Sequence, residues 1–171
     1  MIHCRTCRNP GQIEDLGQWY CRSCFRGMIE SRIKRSIFQR FRREDRISIP
    51  DAWSGAVLQR LLGGFPLQLV NDPSQADKVV NSASADDLAQ GFIQQLSGSG
   101  VQPLDEREVL LFSSVTDQEL LQYCSLLDIP FTPRSKDQRM QQFFQQLEKY
   151  PEIPLNISKN VRALQKSDSS S

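Results

Sequence analysis

Apolar residues recur every four positions from Phe25 through Ile29, Ile33 and Ile37 to Phe41, with Met28 and Phe38 beside them. A single stripe of that period predicts an amphipathic helix from Arg22 to about Asp45. Arg26, Arg32, Lys34, Arg35, Arg40, Arg42, Arg43 and Arg46 take up the remaining surface and thicken toward its C-terminal end, where cations suit the helix dipole.

Beyond this stripe, short apolar runs alternate with helical patterns. Residues 46–50 read as a strand, and residues 56–62 as a helix closed by Gly63-Gly64. Residues 65–70 read as a second strand, 71–74 as a turn and 78–80 as a third, weaker strand. Ser84, Asp86 and Asp87 can cap a helix reaching Leu96, which the Ser/Gly stretch 97–100 stops. Residues 109–112 form a strand or a packed loop. Thr116 with Glu119 three positions later is a capping-box pattern for a helix to about Leu127. A further helix is expected over 136–150, a break at Pro151 and Pro154, a short helix over 157–164, and a disordered Ser-rich tail. This alternation predicts an α/β fold with a parallel sheet, though one with few strands.

The cysteines add a second theme. Four of the five fall within the first 24 residues, as Cys4-x2-Cys7 and Cys21-x2-Cys24, thirteen residues apart. Thiolates so spaced converge on one centre, and two such pairs complete a tetrahedral shell, which points to structural Zn2+. A disulfide pair or a redox C-x-x-C is the alternative. The segment between the pairs is too short and polar to build a core, so the metal would supply its folding energy. Cys124, among Leu120, Leu121 and Leu127, reads as a small buried hydrophobe, and His3 is the only histidine.

Charge divides the chain. Residues 1–46 carry a formal charge of +6 and the remainder −5. A basic N-terminal part suits an anionic partner, RNA being the natural one beside a zinc knuckle, or is an ordinary solvated helix face. Trp19, Tyr20 and Phe25 either pack round the metal or stack on a base. No run is long and apolar enough to span a membrane, and the cysteines come directly after Met1 without a leader, so no membrane role and a cytoplasmic or nuclear location are expected.

Residues 47–62 have the layout of a nucleotide site: a strand, a small-residue turn at Ser54-Gly55, then a helix whose N–H groups could meet phosphate. The next four residues, Ala56, Val57, Leu58 and Gln59, lack the glycine and the polar side chains that hold phosphate or Mg2+.

The opening C-x2-C … W-Y-C-x2-C-F, followed by a basic helix with I-E-x-R-I, resembles the start of tRNA 2-thiolation proteins. It is most similar to the second, non-catalytic subunit of the cytosolic complex that thiolates the wobble uridine. R-I-S-I-P-D-A-W-S-G (46–55) falls where that superfamily has a strand and its ATP-pyrophosphatase loop S-G-G-x-D-S. Ser54 and Gly55 match the loop, whereas Ala56, Leu58 and Gln59 replace the second glycine, the aspartate and the last serine. The helix around Asp86-Asp87 and the F-x-x-x-L-E-x-x-P run beginning at Phe143 also resemble family segments, and a long stretch is missing around 71–76. The catalytic cysteines of active members have no counterpart.

The resemblance implies a zinc module at 1–24, a basic connecting helix at 25–45, a degenerate Rossmann-like (adenine nucleotide alpha hydrolase-like) body at 46–164 and a tail at 165–171. It implies a pseudo-enzyme that binds tRNA, through Arg26, Arg32, Lys34, Arg35, Arg40, Arg42 and Arg43, and docks on a catalytic tRNA thiolase subunit, with no ATP. The rival expectations are a stand-alone ATP-dependent thiolase and a zinc-ribbon adaptor unrelated to tRNA.

Overall fold

The computed structural model describes residues 2–38, 40–96, 105–136, 138, 142 and 153–157. Between the cysteine pairs the chain forms a hairpin, β1 (Ile13–Asp15) antiparallel to β2 (Gln18–Tyr20), with Ile13 opposite Tyr20. Its turn residues Leu16 and Gly17 have φ of 50° and 71°, the left-handed pair whose twist matches that of hairpin strands.

Helix α1 (Arg22–Ile37) starts at the second cysteine pair and buries Phe25, Ile29, Ile33 and Ile37 completely. Each such side chain contributes about 2 kcal/mol of hydrophobic stabilisation. The helix ends well short of the expected Asp45. Phe38 caps it, the Arg40 N–H turns back to the Ile37 carbonyl at 2.8 Å, and Glu44 adopts a left-handed φ of 69°. The turn brings Phe41 into the core, 7 % exposed, from a loop and not from the helix. Phe38, expected to widen the apolar stripe, is instead 72 % exposed.

The body is a four-stranded parallel sheet ordered β4-β3-β5-β6. Strand β3 (Arg46–Ser48) leads into α2 (Ala52–Leu61), which begins four residues before its expected start at Ala56. Strand β4 (Gln68–Leu69) is a two-residue remnant of the expected 65–70 strand, and a 3-10 turn (Pro73–Gln75) comes after it. The segment read as the weakest strand is the longest: β5 (Lys78–Ser84) lies between β3 and β6 (Glu108–Phe112), and its small residues are buried on both faces. Helix α3 (Ala85–Leu96) continues directly from β5, and α4 (Asp117–Leu126) carries the full capping box between Thr116 and Glu119.

One cluster of buried residues unites the layers. The α1 stripe packs with Ile47 of β3, Val57, Leu58 and Leu61 of α2, Val80 of β5, Leu111 and Phe112 of β6, and Leu120 and Tyr123 of α4. Ile13 and Tyr20 of the hairpin lie against the same cluster, so α1 is a layer of the body as well as the link to the metal module. Residues 153–157, Pro154 among them, are helical. Of the helix expected over 136–150, Lys136 is not helical, 138 and 142 are, and the rest lies outside the described residues, as do most of 157–164 and the tail.

Candidate functional site

The metal centre is assembled by three local devices. In the first knuckle the Cys4 N–H donates to the Asn9 carbonyl (2.7 Å), the Arg8 N–H donates to the Cys4 carbonyl (3.1 Å), and Arg8 takes a left-handed φ of 64°. The hairpin then returns the chain. A Cβ on Gly11 would stand 2.8 Å from Cβ of Trp19, so only glycine admits this approach. Finally, Cys21 caps the N-terminus of α1 and Cys24 lies in its first turn.

The four sulfurs lie within 4.8 Å of one another, with Cys7 and Cys21 at 3.6 Å. A tetrahedral Zn–S shell of about 2.3 Å bonds spaces its sulfurs about 3.8 Å apart. The set could therefore hold a single metal ion. The first turn of α1 contains no acidic residue, so thiolates are the anions that meet its positive end. Burial raises the Cys4 thiol, but backbone N–H groups of Cys21, Cys7 and Thr6 outweigh it and pull the group down to about 6. Cys24, with the sulfurs of Cys7 and Cys21 beside it, is pushed up to about 12, a proton that a divalent cation would displace. His3 uses its ring on the Arg8 carbonyl (3.0 Å) and stands outside the set. Cys124 is buried in the core, which pushes it up to about 11.

The basic residues separate into three groups. Arg32 turns inward: it pairs with Glu119 and the Ser114 carbonyl, its side chain 17 % exposed and that of Glu119 only 3 %. Asp15, in the hairpin, belongs to this group; burial and the Glu119 charge push it up to about 6 against the pull of Arg32. Arg26 stays exposed and reaches Glu30 at 3.8 Å, and Arg46 pairs with Asp77 at 2.8 Å. Lys34 and Arg35 line an open groove of about 500 Å3 with Gly27, Glu30, Ser31 and Phe38, and Arg40, Arg42 and Arg43 are exposed in the loop after α1. Trp19 and Tyr20 are half-buried, Trp19 close over Gly11, while Phe25 is wholly buried in the body's core and Tyr20 lies against it.

The third region is the C-terminal edge of the sheet. From β3 the chain goes to β4 on one side and then to β5 on the other, so the crevice beyond β3 and β5 is the switch point where open α/β sheets bind ligands. Here that crevice is closed by the chain's own side chains. Ser54 and Gly55 form no phosphate-facing turn. They sit in the first turn of α2, where the fully buried Ser54 hydroxyl donates to the Asp51 carbonyl (2.9 Å) and Gly55 lies over Ile49. The Asp51 carboxylate stands at the helix N-terminus, where an anionic ligand would be favoured, and accepts a hydrogen bond from Ser82. Ser82 reaches it because β5 bulges between Asn81 and Ser84, with Asn81 Oδ1 accepting from the Ala83 N–H (2.9 Å).

Trp53 stacks on Phe112 (centroids 4.8 Å) and meets Phe131 (4.6 Å). Arg134 donates to Ser82 (2.9 Å), and Lys136 joins Asp87 and, at 3.0 Å, Asp117. The space left is about 140 Å3, below the roughly 300 Å3 of the smallest ordinary ligand sites. None of this was visible in the linear sequence, because residues 131–136 carry no motif and reach Asp51 and Ser82 only through the fold. Trp53, lodged between the two residues matched to a phosphate loop and the strand before them, was the available signal.

No protein-family model and no curated protein matches the sequence. Among solved structures, the fold is shared with the U34-tRNA thiolase NcsA from Methanococcus maripaludis, solved with its [4Fe-4S] cluster. The two align with a TM-score of 0.72 at 12% identity, over 97% of this chain and 88% of that one. The α/β body with a parallel sheet thus shares its fold with that thiolase.

Proposed function

We propose that this protein is a non-catalytic subunit of a complex that 2-thiolates the wobble uridine of tRNA, working beside a catalytic thiolase in the cytoplasm. One observation carries the reading: a complete four-cysteine centre sits on a thiolase fold whose switch-point crevice is packed with Trp53, Phe131 and Arg134. A chain that had to bind and cleave ATP would keep that crevice open. The same observation weighs against a stand-alone thiolase.

Zn2+ is the ion proposed for the four cysteines. A single ion needs its sulfurs as close as they stand here, whereas a cubane's ligands bond four different irons and lie further apart. Bound zinc would lock the knuckles and hairpin and supply no reaction step, since four thiolates leave it no open position. The exposed cations Arg26, Lys34, Arg35, Arg40, Arg42 and Arg43 would bind tRNA through its phosphates. Arg32 contributes from within, holding α1 to α4.

Affinity purification of the tagged protein tests this reading. A thiolase subunit and tRNA are expected to co-purify, the pure protein is expected to release no AMP from ATP, and deletion is expected to deplete thiolated wobble uridine. A deletion strain with normal thiouridine would overturn it.

A further inference from the structure

The exposed end of α1 combines features that neither the core nor the metal centre uses. Phe38 is 72 % exposed, while every other aromatic side chain among the described residues is at least partly buried. Lone apolar side chains on a surface are ordinary. This one, however, is held by the helix end, its N–H bonded to the Lys34 carbonyl at 2.9 Å, and it forms one wall of the 500 Å3 groove whose other members include Lys34 and Arg35. Among the described residues neither cation is ion-paired, Arg35 donating only to the Ser31 carbonyl. The acid in the groove, Glu30, is engaged by Arg26 and Arg60. Arg40, Arg42 and Arg43, also exposed, follow Phe38 closely in the chain.

A flat apolar ring beside two cations matches an unstacked nucleobase with a neighbouring phosphate, which is how single-stranded RNA is gripped. Paired RNA offers phosphates but no free base face. We infer that Phe38, with Lys34 and Arg35, is a stacking platform for one unpaired base of an RNA loop or end. The inference rests on the proposed tRNA function and narrows it: the exposed end of α1 reads single-stranded RNA, and the other cations hold the backbone.

Binding of the full-length protein to an RNA hairpin with an open loop, and to a blunt RNA duplex of equal charge, tests it. Phe38→Ala is expected to weaken hairpin binding about 5- to 100-fold and leave duplex binding unchanged. Phe38→Trp should restore it, with fluorescence quenched by the hairpin and not by the duplex. Lys34→Gln combined with Arg35→Gln should weaken both ligands and lower the salt slope by about 1 to 2. If the hairpin binds and Phe38→Ala binds it as well as the parent chain does, the platform is disproved while the tRNA function stands. If neither RNA binds in a salt-dependent way, the tRNA function fails and takes the platform with it. If Phe38→Ala keeps its RNA affinity but no longer co-purifies the thiolase, Phe38 is a protein contact and the inference is overturned.

Discussion

The guanidinium of Arg32 spans from α1 to α4, meeting both oxygens of Glu119 and the Ser114 carbonyl, with Asp15 of the hairpin alongside. A buried pair of this kind is weak evidence of net stability, but breaking it leaves a carboxylate uncompensated. Arg32→Met is therefore expected to lower unfolding stability by about 3–5 kcal/mol in urea titrations, and a second change, Glu119→Leu, to recover only part of the loss, because it also removes the Thr116 capping box. RNA affinity measured on the refolded Arg32→Met variant should be unchanged, because this cation does not face solvent. In the linear sequence Arg32 is indistinguishable from Lys34 or Arg35. Its partner lies on another element, and only the packing of α1 on α4 decides which basic residues turn inward.

At the scale of elements, local physics was legible where one segment carries its own signal. The apolar period of α1, the Ser84–Asp87 cap of α3 and the Thr116–Glu119 box of α4 are all present. Elements set by neighbours were not. Strand β5 looks polar (Lys78-Val-Val-Asn-Ser-Ala-Ser) because a strand flanked on both sides can use small residues and side-chain hydrogen bonds in place of bulk. The hairpin has no apolar alternation to announce it, since its residues serve the metal and the edge of the body's core.

That division yields a test of the metal. Chelation, or Cys4→Ser, is expected to remove one metal ion per chain, loosen the hairpin and change Trp19 fluorescence, while most helical signal survives. Cys124→Ser, outside the centre, should keep its metal. Because Ile13 and Tyr20 touch the core, the body of the apo-protein should melt at a lower temperature than that of the loaded one.

Over the whole molecule, titration should show an unusual trend. Burial pushes the Asp86 carboxyl up to about 6, the charges of Asp117 and Asp87 adding to it while the Asp117 N–H and Lys136 oppose it. Asp15 is raised to a similar value. For such groups the folded state holds more protons than the unfolded one between about pH 4 and 6, so stability falls as pH rises through that window. Asp86→Asn keeps the acceptor for Asp117 and removes the charge. It is expected to flatten the dependence and raise stability at pH 7 by on the order of 2 kcal/mol in denaturation across that range. The surface pair works in the opposite sense and lower down: the Arg46 guanidinium holds Asp77 at about 2, so its contribution, present above pH 4, is lost only as pH falls toward 2.

The sequence resemblance sets Leu58 against the aspartate of an ATP-cleaving loop, and only 2 % of it meets solvent, wedged between sheet and helix. An aspartate there would drive a carboxylate into hydrocarbon, and a glycine at Ala56 would only soften a helix that begins too early to become a loop. Under the non-catalytic reading proposed above, single substitutions toward the S-G-G-x-D-S loop would therefore damage the scaffold before they could serve chemistry.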